Sequence, residues 1–242
     1  MGKVYVVGIG PGSRNMMTTQ AISALESSDV IVGYQAYIDL VKDEFPGREF
    51  FANGMRGEIE RCEKCIELAM EGKTVSLICS GDAGIYGMAS PLLEIAHQRG
   101  FSDVEVIPGV TAASGGAAVL GAPLGHDFCV ISLSDLLTPW EVIENRLRCA
   151  ARGDFCVVLY NPSSRKRADY LKRACLILNE YIPADRPCGY VRNIGREGCR
   201  ETVCTLEELA DEQVDMFVTV FIGNSQTRIE GGKLITPRGY QL

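Results

Sequence analysis

Three observations predict an α/β fold of two domains. An apolar, β-branched run near the amino terminus ends in a glycine-rich turn, VYVVG-IGPGS, and the pattern returns as TVSLI-CSGDAGIYG and VEVI-PGVTAASGG. Strands that alternate with helical segments build a mostly parallel sheet. The third observation is length: 242 residues, 46% of them hydrophobic, can fill two cores.

Taken in order, residues 3–8 read as a buried strand and 30–32 as the second. Residues 57–72 read as a helix, with Ile59, Cys62, Ile66, Ala69 and Met70 on one apolar face and Gly72 as the stop. The small, glycine-rich stretch 115–123 precedes a fresh strand at 128–133. This places a domain boundary near Gly121, with α/β domains at 1–120 and 121–242. Thr138-Pro139-Trp140-Glu141 offers an N-cap, a proline at the first helical position and a capping-box Glu; Thr205-Leu206-Glu207-Glu208 repeats the box without the proline. Strands at 155–160, 188–192, 200–204 and 216–222 complete the second domain. Turns at the carboxyl ends of parallel strands share one sheet edge, so the three glycine-rich turns are expected to line one ligand crevice.

A formal net charge of −7 argues against general nucleic-acid binding, which needs a dominant basic surface. No apolar run approaches the ~18 residues of a membrane span, and no signal-peptide pattern precedes the first strand. A cytoplasmic protein is expected, with its ten cysteines as reduced thiols. Cys62-x-x-Cys65 lacks the second pair of ligands that a structural zinc site needs, and Cys62 belongs to the helical stripe; core thiols are expected and no metal is assigned.

The first turn narrows the ligand. Gly8-x-Gly10-x-x-Ser13 lacks the third glycine of a dinucleotide fingerprint, and Pro11 removes an N–H from the place where a phosphate would seek one. Asp29 comes before the second strand, whereas a ribose-binding acid follows it. No Gly-Lys-Ser/Thr follows either. The loop suits a ligand that needs close backbone approach more than anion donors. Asp82, among glycines in the second turn, is equally suited to close an Asx-turn or to shape the ligand loop beside a cationic group. His97 reads as a surface residue, and His126-Asp127 as either a base with its orienting carboxylate or a structural pair. Arg165-Lys166-Arg167 could grip carboxylates or solvate a helix start.

The turns GIGPGS, SGDAGIYGMAS, IPGVTAASGGAAVLGAPLGHDFCVISLSDLLTPW and LYNPSSRKR, followed by FVTVFIGNSQT and ITPRGY, resemble in order and spacing the tetrapyrrole methylase family, across essentially the whole chain. HDFCVISLSDLLTPW and the ITPRGY tail are similar to the members that methylate carbon 17 of precorrin-3B or cobalt-factor III in cobalamin biosynthesis. The resemblance implies two α/β domains of the class III methyltransferase kind with S-adenosylmethionine between them, S-adenosylhomocysteine as product, a tetrapyrrole substrate and a homodimer. It implies that Pro11 lines the back of the cofactor pocket and that Ser80, Gly81, Asp82, Ala83 and Ile85 hold the methionine and adenosine parts. Thr111, Ala112, Leu133, Ser134, Asn161, Asn193 and Thr219 complete the pocket, with Tyr86 and Met88 toward the methyl group; Cys79 and Asn193 depart from the family pattern.

Methylation is implied to accompany contraction of the macrocycle with loss of carbon 20 from the ring. That needs a proton acceptor or donor, for which His126, Asp127 and Asp82 are candidates. Substrate carboxylates are expected to pair with Arg165, Lys166, Arg192, Arg196 or Arg228. The competing expectations are a methyltransferase of the same fold acting at another corrinoid carbon or on a modified protein histidine, and a corrinoid carrier or metal-cysteine redox module.

Overall fold

Strand β1 (Lys3–Gly8) sends Val4 and Val6 to one side of a sheet and Tyr5 and Val7 to the other, and helices cover both sides. The computed structural model describes residues 2–164 and 167–241, and the chain divides into two compact units, Met1–Ala112 and Ala113–Leu242. The division falls between Ala112 and Ala113, ahead of the boundary expected near Gly121.

In the first unit β1 is followed by α1 (Thr19–Ser27), β2 (Val30–Tyr34), α2 (Gln35–Val41), β3 (Glu49–Asn53), α3 (Glu58–Met70), β4 (Thr74–Cys79), α4 (Ala89–Gln98) and β5 (Val104–Ile107). All neighbouring strands pair parallel in the order β3-β2-β4-β1-β5. Val4, Val6, Val30, Val32, Val75 and Leu77 pack with α3 and α4 on one face; Val7, Ile31, Ile78 and Ile107 pack with α1 and α2 on the other. Burial on both faces is why these strands read as continuous apolar runs. In α3 the buried face is Arg61, Cys62, Cys65, Ile66, Leu68 and Ala69, whereas Ile59 and Met70, expected in the core, are 58% and 48% exposed.

The second unit holds α5 (Ala112–Leu120, its first residue shared with the first unit), β6 (Gly121–Ala122), β7 (Phe128–Ser132), α6 (Trp140–Arg152), β8 (Cys156–Tyr160), α7 (Tyr170–Leu178), β9 (Pro187–Arg192), β10 (Arg200–Thr205), α8 (Leu206–Leu209), β11 (Val218–Ile222), β12 (Arg228–Glu230) and β13 (Lys233–Ile235). Its main sheet, β10-β9-β11-β8-β7, is mixed: β7 and β8 run parallel and every other pair is antiparallel. Helices α6, α7 and α8 cover one face. On the other, Gly116 of α5 lies against Phe221 and Ile194, and Leu234 of the small β12-β13-β6 sheet lies against Gly189. The Thr205–Glu208 capping box is present with both reciprocal hydrogen bonds. The box expected at Thr138 is not: α6 starts at Trp140 with Pro139 as its N-cap and no side-chain capping bond.

Candidate functional site

The connections leaving β1 and β4 go to opposite faces of the first sheet, through α1 and α4 respectively, although the two strands are neighbours. That is a topological switch point, where open α/β sheets bind ligands beyond the carboxyl ends of their strands. Here two of the glycine turns are joined by backbone: the Gly10 N–H donates to the Gly81 carbonyl at 3.0 Å and the Gly81 N–H to the Gly10 carbonyl at 2.8 Å. The third turn is pressed against both. A methyl carbon on Gly109 would sit 2.2 Å from the Gly81 carbonyl oxygen and 2.6 Å from that of Gly8, so only glycine permits this junction.

Asp82 ties the junction together. Its Oδ1 accepts from the Gly84 N–H at 2.8 Å and the Ile85 N–H at 3.1 Å, closing an Asx-turn, while its Oδ2 accepts from the Gly109 N–H at 2.9 Å. The Asx-turn weighed for this residue is present, and the bond to Gly109 ties that turn to the third one. A carboxylate at the junction, with Pro11 contributing no N–H, makes the turns poor for a phosphate and compatible with a cation. Ala83 is buried beneath the turn, Ile85 and Tyr86 are exposed, and Tyr86 holds a left-handed backbone at φ 53°. Cys79, at the end of β4, accepts from the Met88 N–H at 3.3 Å, and burial pushes its thiol up to about 12. Thr111 and Ala112 lie at the entrance to α5, following the third turn.

The residues expected to contribute from the second unit gather at one end of its sheet. Ser132 and Tyr160 pair across β7 and β8, Thr219 pairs with Val191, and Asn161 and Asn193 follow β8 and β9. Asn161 and Asn193 adopt φ of 51° and 53°, a conformation that asparagine tolerates better than most residues. The Asn161 amide donates to Ser132 Oγ at 2.9 Å. Leu133 is fully buried in the core beneath α6 and α7, which leaves only its backbone for a ligand. Arg167 is not a solvated helix start: it donates to Ser134 Oγ at 2.6 Å and pairs with Asp135 at 3.4 Å, and Tyr170 donates to the same carboxylate at 2.6 Å. Sequence reasoning also missed the Tyr160 phenol, which accepts the Ala113 N–H at 2.8 Å in the first turn of α5.

Other candidates are displaced. His126 and Asp127 precede β7, at its amino end, while Ser132, Ser134 and Asn161 stand at the carboxyl ends of β7 and β8, roughly 17 Å away along a five-residue strand. The pair is exposed, with His126 Nδ1 3.6 Å from Asp127 Oδ2 and accepting the Asp127 N–H at 2.9 Å, so the structure does not bring it to the second unit's candidate loops. Arg192 is engaged by Asp215 and Gln213, and Arg228 by Glu230 at 2.5 Å. The Arg196 N–H donates to the Asn193 carbonyl at 2.9 Å. Arg165 and Lys166 lie outside the described residues. His97 is exposed in the last turn of α4. The ten cysteines are free thiols, and no group of metal-ligating side chains stands together among the described residues.

The model of the Tetrapyrrole (Corrin/Porphyrin) Methylases matches residues 3–210. The chain belongs to that family. This methylase is 48% identical over 238 residues to the probable cobalt-factor III C(17)-methyltransferase of Salmonella typhimurium, covering 98% of the chain and 99% of that relative. It is 39% identical to the precorrin-3B C(17)-methyltransferase of a Sinorhizobium species, covering 99% and 97%. Among solved structures it superposes on the methyltransferase CobJ with a TM-score of 0.91, at 37% identity, over 98% of this methylase and 100% of that chain.

Proposed function

We propose that this chain transfers the methyl group of S-adenosylmethionine to carbon 17 of precorrin-3B or cobalt-factor III, with contraction of the macrocycle, as a cytoplasmic homodimer. One observation carries the proposal: both units align, nearly end to end, with relatives named for that reaction. S-adenosylmethionine supplies an electrophilic methyl group on a sulfonium, so no protein nucleophile is required and positioning is the main contribution of the enzyme.

The residues present fit that donor. The glycine junction admits a ligand against the backbone, the Asp82 carboxylate suits a positive sulfonium, and no phosphate is forgone at Pro11. Pro11, Ser80, Gly81, Asp82, Ala83, Ile85, Thr111 and Ala112 are the contacts proposed for it in the first unit, and Ser134, Asn161, Asn193, Thr219 and the Leu133 backbone are those proposed in the second. Tyr86 and Met88 stand toward the methyl group. Asp82 serves here as a positioning residue, because its oxygens are occupied by backbone N–H groups.

No helix among the described residues is long and apolar enough to cross a membrane. Incubation of the purified protein with methyl-labelled S-adenosylmethionine and either cobalt-factor III or precorrin-3B tests the assignment. Label is expected at carbon 17 of a ring-contracted product. Label at another carbon, or none in the macrocycle, overturns it.

A further inference from the structure

Edge strand β3 ends at Asn53, beside Tyr34 of β2 and on the same carboxyl edge as the glycine turns. The loop that follows, residues 54–57, is pinned from below. Arg61, 4% exposed, donates to the Asn53 side-chain oxygen and to the Gly54 carbonyl at 3.1 Å, and pairs with Glu58 at 3.5 Å. The Asn53 amide donates in turn to the Gly57 carbonyl at 3.2 Å and to Glu60 at 2.9 Å. A buried arginine spent on loop carbonyls is an unusual expense for a connection of this length.

What the clamp presents is Met55, 63% exposed, and Arg56, exposed and held at φ 66°. Arginine gains nothing from the left-handed region, so the strain is held by the surroundings, a pattern that concentrates at ligand-binding positions. Arg56 has no ion-pair partner among the described residues. Arg14, which follows β1 on the same edge, is committed to Glu26 at 3.1 Å and lies over the Phe45 ring. Two strand spacings separate β3 from β4, which sets the end of β3, three residues before Arg56, roughly 10 Å to the side of the end of β4, where the Ser80–Asp82 turn begins. A polycarboxylate approaching a chain of net charge −7, and the Asp82 carboxylate in particular, needs a local cation.

We propose that Arg56 anchors a carboxylate arm of the macrocyclic substrate at this edge, with Met55 as an apolar neighbour for the ring. The inference rests on the methyltransferase reading above and names a substrate-binding residue for it. A guanidinium grips a carboxylate through two parallel N–H bonds, a geometry that lysine cannot reproduce. Steady-state kinetics of R56Q, R56K and R56G, with calorimetry of S-adenosylhomocysteine, provide the test. R56Q is expected to raise KM for the tetrapyrrole by about tenfold with kcat and S-adenosylhomocysteine affinity unchanged. R56K recovers only part of the loss. R56G shows the same KM defect with a melting midpoint at or above that of the parent, because the strain is relieved without loss of a contact.

An unchanged KM in R56Q, or an equal loss of S-adenosylhomocysteine affinity, overturns the proposal. If the parent protein methylates neither precorrin-3B nor cobalt-factor III, the functional reading falls, and binding of uroporphyrin III still decides Arg56. Binding weakened about tenfold in R56Q supports the anchor, whereas equal binding by both proteins, or none by either, sinks it.

Discussion

Asp82 accepts N–H groups from two turns that are well separated in the chain, at Gly84–Ile85 and at Gly109, and this makes it a structural keystone as well as a charge. D82A strands three backbone donors and is expected to lower stability by about 1–3 kcal/mol, measured by urea unfolding. D82N keeps a side-chain oxygen but removes the negative charge. It should therefore weaken binding of the cationic S-adenosylmethionine more than that of the neutral S-adenosylhomocysteine; equal losses in calorimetry would show that the charge plays no part. The glycines around Asp82 made it conspicuous in the sequence. Gly109 was not, because its need for a missing side chain comes from the carbonyls of Gly8 and Gly81, which lie far away in the chain.

Helix boundaries and helix faces were legible to different degrees. Both capping-box sequences look alike, yet Thr205 accepts the Glu208 N–H and Thr138 caps nothing, since Pro139 takes the N-cap place in α6. T205A is accordingly expected to cost about 1 kcal/mol, and T138A close to zero, by the shift in denaturation midpoint. A larger effect at Thr138 than at Thr205 would contradict the assigned start of α6. In α3 the 3.6-residue period gave the stripe through Cys62, Ile66 and Ala69, but not its flank. The core wraps toward Arg61, Cys65 and Leu68, leaving Ile59 and Met70 in solvent, because the sheet and α4 cover that side. The short β12-β13-β6 sheet carried no strand signal, being two or three residues per strand.

At the scale of the whole molecule, the cysteines make the protein sensitive to alkali. Burial raises the thiols of Cys62, Cys79, Cys175 and Cys204 to about 12 and that of Cys129 to about 11, against an ordinary value of 9.0. Well below pH 9 both folded and unfolded chains keep these protons, and the contribution is complete. Above it the unfolded chain ionises first, so stability falls as pH rises from 9 toward 12, by on the order of 1 kcal/mol per pH unit for each fully buried thiol. The urea midpoint is expected to hold to about pH 8.5 and then decline; a midpoint constant to pH 11 would contradict the burial of these groups. Strand periodicity, glycine turns and local capping chemistry are short-range, and the sequence by itself determined them: the parallel first sheet, the strands of the second unit's main sheet and the phosphate-averse first turn. Which distant segments touch is a matter of topology, and only the tertiary structure decided it. The switch point and the Asp82–Gly109 bond depend on strand order, to which no local pattern has access.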